Sequence, residues 1–402
     1  MRIPILSILA VLAAAAPASA SQVLEYRGHG ILVAHENPYL PPPQGPEAAG
    51  YQRAPAAARA KVHAARGPSV KAAVATAYRH RAISASAASR YYKAYNSARS
   101  TRSHLSGQRR KELSAVLSVL EGIAKRRQLT ASRMPALFLQ LGRNRTFWAA
   151  RSAPYAGARI TFTGSPMVFQ YYAGQGLQIQ PLANFGMVNG KITHCRRVPK
   201  TCDRKAIKQL LDDMVAIRSK RSSFTTWEYY FYFGGGRPPW TSGISTGAAL
   251  DALARASAKS ILDDGSYLKV ARAALGVYRH GPPTGVRIRT KYGSHYLIYS
   301  FDRGQRVLNA FLESIIGLFD YAKVAHDKTA RALWVAGDHE ARVELPHYDT
   351  GRWSRYSLGG PLASVDYHKL VVDFLDKLCS HLGGTYCTYH KRFKDYLSRG
   401  HP

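Results

Sequence analysis

Three stretches of the chain carry apolar residues at intervals of three and four, and this spacing constrains the fold more than any other feature. Ile207, Leu210, Leu211, Met214 and Val215 form one stripe, Leu308, Phe311, Ile315, Leu318 and Phe319 a second, and Leu370, Val371, Phe374, Leu375 and Leu378 a third. Each predicts an amphipathic helix whose apolar side has to be covered by another element. A fourth stripe, Leu113, Val116, Leu117, Leu120 and Ile123, ends a basic region rich in Ala and Ser. Runs of β type are short: RITFTG and MVFQYY between Arg159 and Tyr172, and FTTWEYYFYFGGG at 224–236. The expected fold is mainly α. Successive helices joined by loops bearing Gly, Pro and Tyr suggest hairpins packed as an incomplete (α/α) toroid or barrel-like domain over 106–402, with β insertions near 159–172 and 224–236. Ahead of it, 21–105 reads as a basic, Pro- and Ala-rich arm or linker, helical in part.

The first 20 residues read as a secretory signal peptide. Arg2 precedes an apolar run at 3–16, and Ala18-Ser19-Ala20 offers the small residues a signal peptidase requires, with cleavage expected after Ala20. The run is too short to span a bilayer, and no later stretch is both long and free of charge. The protein is therefore expected to be secreted or periplasmic, with no transmembrane segment. Cys195 and Cys202, and Cys379 and Cys387, read as two local disulfides in such a compartment. The alternative is a zinc site with His194, His381 and His390, although no CxxC spacing is present. Asn144-Arg145-Thr146 fits a glycosylation sequon.

Lys and Arg number 57 against 24 Asp and Glu, a formal net charge of +33. Such an excess calls for a polyanionic partner. An exported chain lacking any nucleic-acid module is expected to meet an acidic polysaccharide rather than nucleic acid. With 46% hydrophobic residues the chain can bury a sizeable core, which excludes a disordered tail protein, a collagen or a small disulfide scaffold.

No phosphate loop, dinucleotide fingerprint, HExxH or nucleophile elbow appears. The unusual resource is tyrosine, 25 in all. Tyr292, Tyr296 and Tyr299 lie in KYGSHYLIYSFDRG, Tyr348 and Tyr356 in LPHYDTGRWSRYSL, and Tyr367 in SVDYHKL, with His347, Asp349, Arg352, Arg355 and His368 as polar neighbours. A pure packing role for the tyrosines does not need such neighbours. Trp240, in PWTSG, is a candidate for stacking on a sugar ring, while Gly243 and Gly247 after it allow close helix packing. His295, His347, His368 and Glu228 could in principle hold a metal, but no pair among them has i,i+4 ligand spacing.

VLNAFLESIIGLFDY at 307–321, LPHYDTGRWSRYSL at 345–358 and SVDYHKL at 364–370, in this order and approximate spacing, resemble the C-terminal domain of D-glucuronyl C5-epimerases. PWTSGISTGAALDALARA at 239–256 and FQYYAGQGLQIQPLANFG at 169–186 are similar to further segments of that family, so that the resemblance covers roughly 160–395. It implies an enzyme that converts glucuronate to iduronate within heparan-type polymers. Carried over, the family's catalytic tyrosines fall on Tyr299, Tyr348 and Tyr367, and its asparagine on Asn309. The family has a glutamate immediately before the first of these tyrosines, where this chain has Ile298.

Epimerisation removes the proton at C5, beside a carboxylate, and returns one on the opposite face, so it needs a proton acceptor and a donor across the ring. The enolate between these steps needs cations or hydrogen-bond donors, for which Arg303, Arg352, Arg355 and Asn309 are candidates, with His368 as a further substrate contact. A phenol ionises near pH ~10, and a crowd of arginines would lower that value. No cofactor is required, a divalent ion on the carboxylate being the alternative. The same intermediate expelling the 4-O-linked sugar would make a uronate polysaccharide lyase. A non-catalytic binder of anionic cell-envelope glycan is the other alternative.

Overall fold

A computed structural model describes residues 22–41 and 67–400. The expected signal peptide lies outside the described residues. The fold is mainly helical with small sheets, and one apolar core runs through it.

The largest sheet has five strands. β1 (Gln22–Tyr26) and β2 (Leu32–Glu36) form an antiparallel hairpin. β1 lies parallel to β3 (Arg159–Phe162), which pairs antiparallel with β4 (Ser165–Tyr172), and β4 with β5 (Gly176–Ile179). Strand order is therefore β2-β1-β3-β4-β5. Four helices precede β3: α1 (Val70–Arg79), α2 (Ala85–Ser103), α3 (Gly107–Lys125) and α4 (Met134–Ala150). The Ser69 and Ser84 side chains accept from Ala72 N and Ala87 N and cap α1 and α2.

The segment read as an arm or linker is built into the molecule where it is described. Val23 and Tyr26 of β1, Val70, Val74 and Ala77 of α1, and Ala88, Tyr95 and Ala98 of α2 belong to the same core as the catalytic-type region. Enough apolar positions recur on these Ala-rich helices to seat them against α3 and α4, and a 3.6-residue stripe made of alanine is easily mistaken for linker composition. The proline-rich part at 42–50 lies outside the described residues.

From residue 181 helices run in pairs. α5 (Pro181–Arg197) packs on α6 (Arg204–Ala216), and β6 (Ser219–Arg221) with β7 (Phe224–Thr226) forms a ribbon after them. α7 (Gly243–Ala256) packs on α8 (Ser266–Ala274), which is followed by the short α9 (Gly276–Arg279) and a second ribbon, β8 (Arg287–Arg289) and β9 (Ser294–Tyr296). α10 (Leu308–Ala325) packs on α11 (Lys328–Glu344), and α12 (Val365–Leu382) on α13 (Thr385–Ser398). The first members of the pairs are neighbours in turn, α5 with α7, α7 with α10, and α10 with α12. α7 and α10 cross at glycine. A Cβ on Gly317 would lie 2.1 Å from the Gly247 carbonyl oxygen, and one on Gly247 2.6 Å from that of Glu313. Gly243 abuts the Leu297 carbonyl in the same way, at 2.4 Å.

Charge is buried near this crossing. Lys377 Nζ of α12 lies 3.1 Å from Asp251 Oδ2 of α7 and 3.0 Å from Asp320 Oδ2 of α10. Arg255 also faces Asp251, at 3.5 Å. Burial pushes Glu313 of α10 up to about 8, with Lys377 opposing. A carboxyl whose folded pKa lies above its unfolded one stabilises the fold at low pH and loses that contribution as pH rises through the folded value. Thermal stability is accordingly expected to decline between pH 5 and 8. Glu313→Gln should flatten this slope and raise the melting temperature at pH 8, as followed by circular dichroism.

Candidate active site

Three phenols meet from three separate loops and helix ends. Tyr299 lies just after β9, where 297–300 runs antiparallel to the start of α7: Ser242 bridges Tyr299, and Ser300 N donates to Thr241 O at 3.0 Å. Tyr356 lies in the loop between α11 and α12, tied to the start of α10 by Leu308 N donating to its carbonyl at 3.2 Å and by the Val307–Ser357 bridge. Tyr367 stands in the first turn of α12, whose N-cap is Ser364. The rings of Tyr356 and Tyr367 meet edge to face with centroids 4.9 Å apart. The Tyr299 and Tyr367 side chains both lie close enough to the Tyr356 hydroxyl to lower its pKa, against burial, which raises it.

Aromatic packing holds this group in place. Tyr299 stacks on Phe301 with centroids 5.2 Å apart and meets Trp240 and Phe233 at 5.6 and 5.4 Å. Behind them Gln180, the N-cap of α5, joins two more phenols: its Nε2 donates to Tyr172 Oη at 2.8 Å, and Tyr229 Oη donates to its Oε1 at 2.9 Å. Burial, followed by the neighbouring phenols of Tyr356, Tyr367, Tyr172 and Tyr229, pushes the Tyr299 pKa well above that of a free phenol. The crowd around Tyr299 is phenolic rather than cationic, so its hydroxyl is a proton donor at neutral pH. Burial also raises Tyr356, and the neighbouring Tyr367 and Tyr299 phenols oppose that rise.

Asn309, the second residue of α10, is buried, and among the described residues neither atom of its side-chain amide has a hydrogen-bond partner. A buried amide left unpaired is unfavourable unless a ligand completes it. Ile298, beside Tyr299, is fully buried in the core, so the residue before this phenol supplies no carboxylate.

Residues 221–397 match the sequence profile of the D-glucuronyl C5-epimerase C-terminus. They carry Tyr299, Asn309, Tyr356 and Tyr367 together. Residues 221–397 form a D-glucuronyl C5-epimerase C-terminal domain. A D-glucuronyl C5-epimerase of Caenorhabditis elegans is 33% identical over 158 residues, 34% of this chain and 25% of that protein. An uncharacterized protein of Methanocaldococcus jannaschii is 24% identical over 200 residues, 47% of this chain and 63% of that protein. The chain thus spans a quarter of the worm enzyme and less than two thirds of the archaeal protein. Tyr172 and Gln180 come from outside the epimerase domain and pack behind its phenols.

Several residues singled out from the sequence sit elsewhere. Tyr348 does not join the trio. Its hydroxyl donates to Arg306 O at 3.0 Å and lies 3.3 Å from Glu344 Oε2. Glu344 in turn meets His295 Nδ1 and Arg306 Nη1, each at 2.8 Å. Tyr348 therefore belongs to a buried polar network of α11 that braces the loop before α10. Tyr356, eight positions on in the same segment, takes its place among the phenols because the chain turns back at 349–354, where Asp349 bridges Ser354. His368 is not available to a ligand: Nδ1 lies 2.7 Å from Ser354 Oγ, Nε2 lies 2.9 Å from Phe393 O, and its ring stacks on Trp353 at 3.8 Å. Trp240 is 1% exposed, stacked flat on Tyr229 at 4.2 Å, and supports Tyr299 from the core rather than offering a face to a sugar. Arg303 and Arg352 are exposed, and Arg355 donates to Gly360 O at 2.8 Å within its own turn.

Both cysteine pairs stand at disulfide distance, Cys195–Cys202 at the end of α5 and Cys379–Cys387 between α12 and α13. Their sulfurs are bonded to one another and so do not serve as thiolate ligands. Asn144 is fully buried, with Nδ2 donating to Leu177 O at 2.7 Å and Oδ1 accepting from Trp148 Nε1 at 2.8 Å, which closes the sequon to glycosylation in the folded protein. Tyr356 and the Tyr172–Gln180–Tyr229 group are what sequence reasoning missed. The signal for Tyr356 is its place in the same quoted segment as Tyr348, the phenol of the Tyr-Asp-Thr-Gly run, which lies instead against Arg306 and Glu344.

Proposed function

We propose that this protein is a uronate C5-epimerase acting on glucuronate residues of an acidic polysaccharide. The observation that supports this reading is the convergence of Tyr299, Tyr356 and Tyr367, from three separate segments of residues 221–397, on one place. In the proposed mechanism one phenol of the trio, as its phenolate, takes the C5 proton, and a second phenol returns a proton to the opposite face. The bridging position of Tyr356 suits it to exchange protons with both neighbours, so that either end of the trio is reset after turnover. The Asn309 amide would donate to the carboxylate as enolate character develops. Both proton transfers are assigned to phenols, and the scheme calls for no cofactor. Reprotonation rather than expulsion of the 4-O-linked sugar makes the reaction an epimerisation.

The paired helices α5–α6, α7–α8, α10–α11 and α12–α13 would form an open arc of an α/α ring around the site. Two local disulfides, and the lack of any helix among the described residues long and apolar enough to cross a membrane, accord with a secreted protein. The test is incubation with an unsulfated heparan-type polysaccharide in D₂O. Deuterium at C5, with iduronate appearing, supports the proposal. An unsaturated 4,5 end absorbing near ~230 nm would indicate a lyase, and neither product would leave only binding.

A further inference from the structure

Charge is distributed unevenly over the surface. Between residues 67 and 127, thirteen Arg and Lys stand against two Glu. Of these glutamates one is buried and the other half-buried. Glu112 is fully buried, where it accepts from Gly174 N, Gly176 N and Tyr171 Oη at 2.8 Å each. Glu121 accepts from Tyr95 Oη at 2.8 Å. On the outer pair of helices Lys71, Arg79, Arg90, Lys93 and Arg99 are exposed, and α3 adds Arg110, Lys111 and Lys125. Among the described residues none of these pairs with a carboxylate. The contacts of Arg79 and Arg90 are to hydroxyls of their own helices, Thr76 and Ser86.

We propose that the outer face of α1–α3 is a second binding surface, one that grips a long acidic polysaccharide away from the phenols. It deepens the epimerase reading, resting on that reading's polymeric substrate. A field predominantly of one sign concentrates a polyanion and tethers it near the site. The chemistry favours a glycan over a lipid surface. Exposed positions between the cations of α2 are Ser86, Ser89, Asn96, Ser100 and Ser103, which offer hydrogen bonds to sugar hydroxyls, and Tyr78 is the one large exposed apolar residue described on these helices. α2 is ~28 Å long, room for several sugars.

The test combines Lys71→Ser, Arg79→Ser, Arg90→Ser and Lys93→Ser in the full chain. The probes are a fluorescent unsulfated heparan-type polysaccharide and an octasaccharide cut from it. At low salt the affinity for the long polymer should fall roughly tenfold or more, with a shallower salt dependence, because fewer counterions are displaced. Octasaccharide binding, and C5 exchange on it, should stay within about twofold. Unchanged polymer affinity overturns the proposal, as does a loss seen only with vesicles of phosphatidylglycerol or with single-stranded DNA. If the wild type exchanges no C5 proton yet its polymer binding depends on these four residues, the surface stands and the epimerase reading falls.

Discussion

Tyr356→Phe should lower C5 deuterium wash-in by about 10²–10⁴-fold, the range seen when a positioned acid or base is removed. The substitution deletes one oxygen and keeps the ring that packs edge to face on Tyr367, so polymer affinity and melting temperature should change little. Tyr299 and Tyr367 lose the phenol oxygen of their common neighbour at the same time. The informative control is Tyr348→Phe, in the same loop segment. Its hydroxyl is engaged by Arg306 O and Glu344, so its removal should cost about 1 kcal/mol of stability and leave exchange within a few-fold. Loss of exchange in Tyr348→Phe with retention in Tyr356→Phe would reverse the assignment of the two phenols. Loss in both, with normal melting, would mean that the α11 network itself takes part in catalysis.

Glu228→Ala should be the most destabilising single change outside the apolar core. Glu228 is buried between two guanidiniums: Arg133 Nε lies 2.6 Å from Oε2, and Arg221 Nη1 lies 2.7 Å from Oε1. Tyr230 Oη adds a contact at 3.2 Å. Arg133 stands at the start of α4, and Arg221 at the end of β6 also donates to the Pro239, Pro283 and Thr284 carbonyls. The carboxylate therefore joins the N-terminal helical layer to the segment that carries Trp240, whose ring packs on Tyr299. Removing it leaves two buried cations uncompensated, worth about 3–5 kcal/mol. For a chain of this size that lowers the melting temperature by about 5 °C. Glu228→Gln, which keeps the shape but not the charge, should recover only part of this. A shift below about 1 °C in the alanine variant would show that solvent reaches the guanidiniums.

The helical stripes at 207–215, 308–319 and 370–378 coincide with α6, α10 and α12 because each is long and regular; α6 and α12 are covered on one side, whereas α10 is buried almost all round. The same reasoning went astray at 70–103. There the apolar positions are largely alanine, whose small transfer energy makes a buried face resemble linker composition. His368 and Trp240 were misread for a related reason. Their types suit a binding site, but here a Ser, a backbone carbonyl and neighbouring aromatic rings satisfy them.

Composition and periodicity alone established a cationic, mainly helical chain, and short motifs pointed to phenol chemistry through Tyr299 and Tyr367. That Tyr356, and not Tyr348, lies beside Tyr299 and Tyr367 is evident only in the tertiary structure. Both lie in one short loop segment, and a reversal of chain direction between them sends one hydroxyl into a carboxylate network and the other to two phenols. Sequence spacing records how far apart residues are along the chain, whereas proton transfer depends on which oxygen atoms come within hydrogen-bond reach.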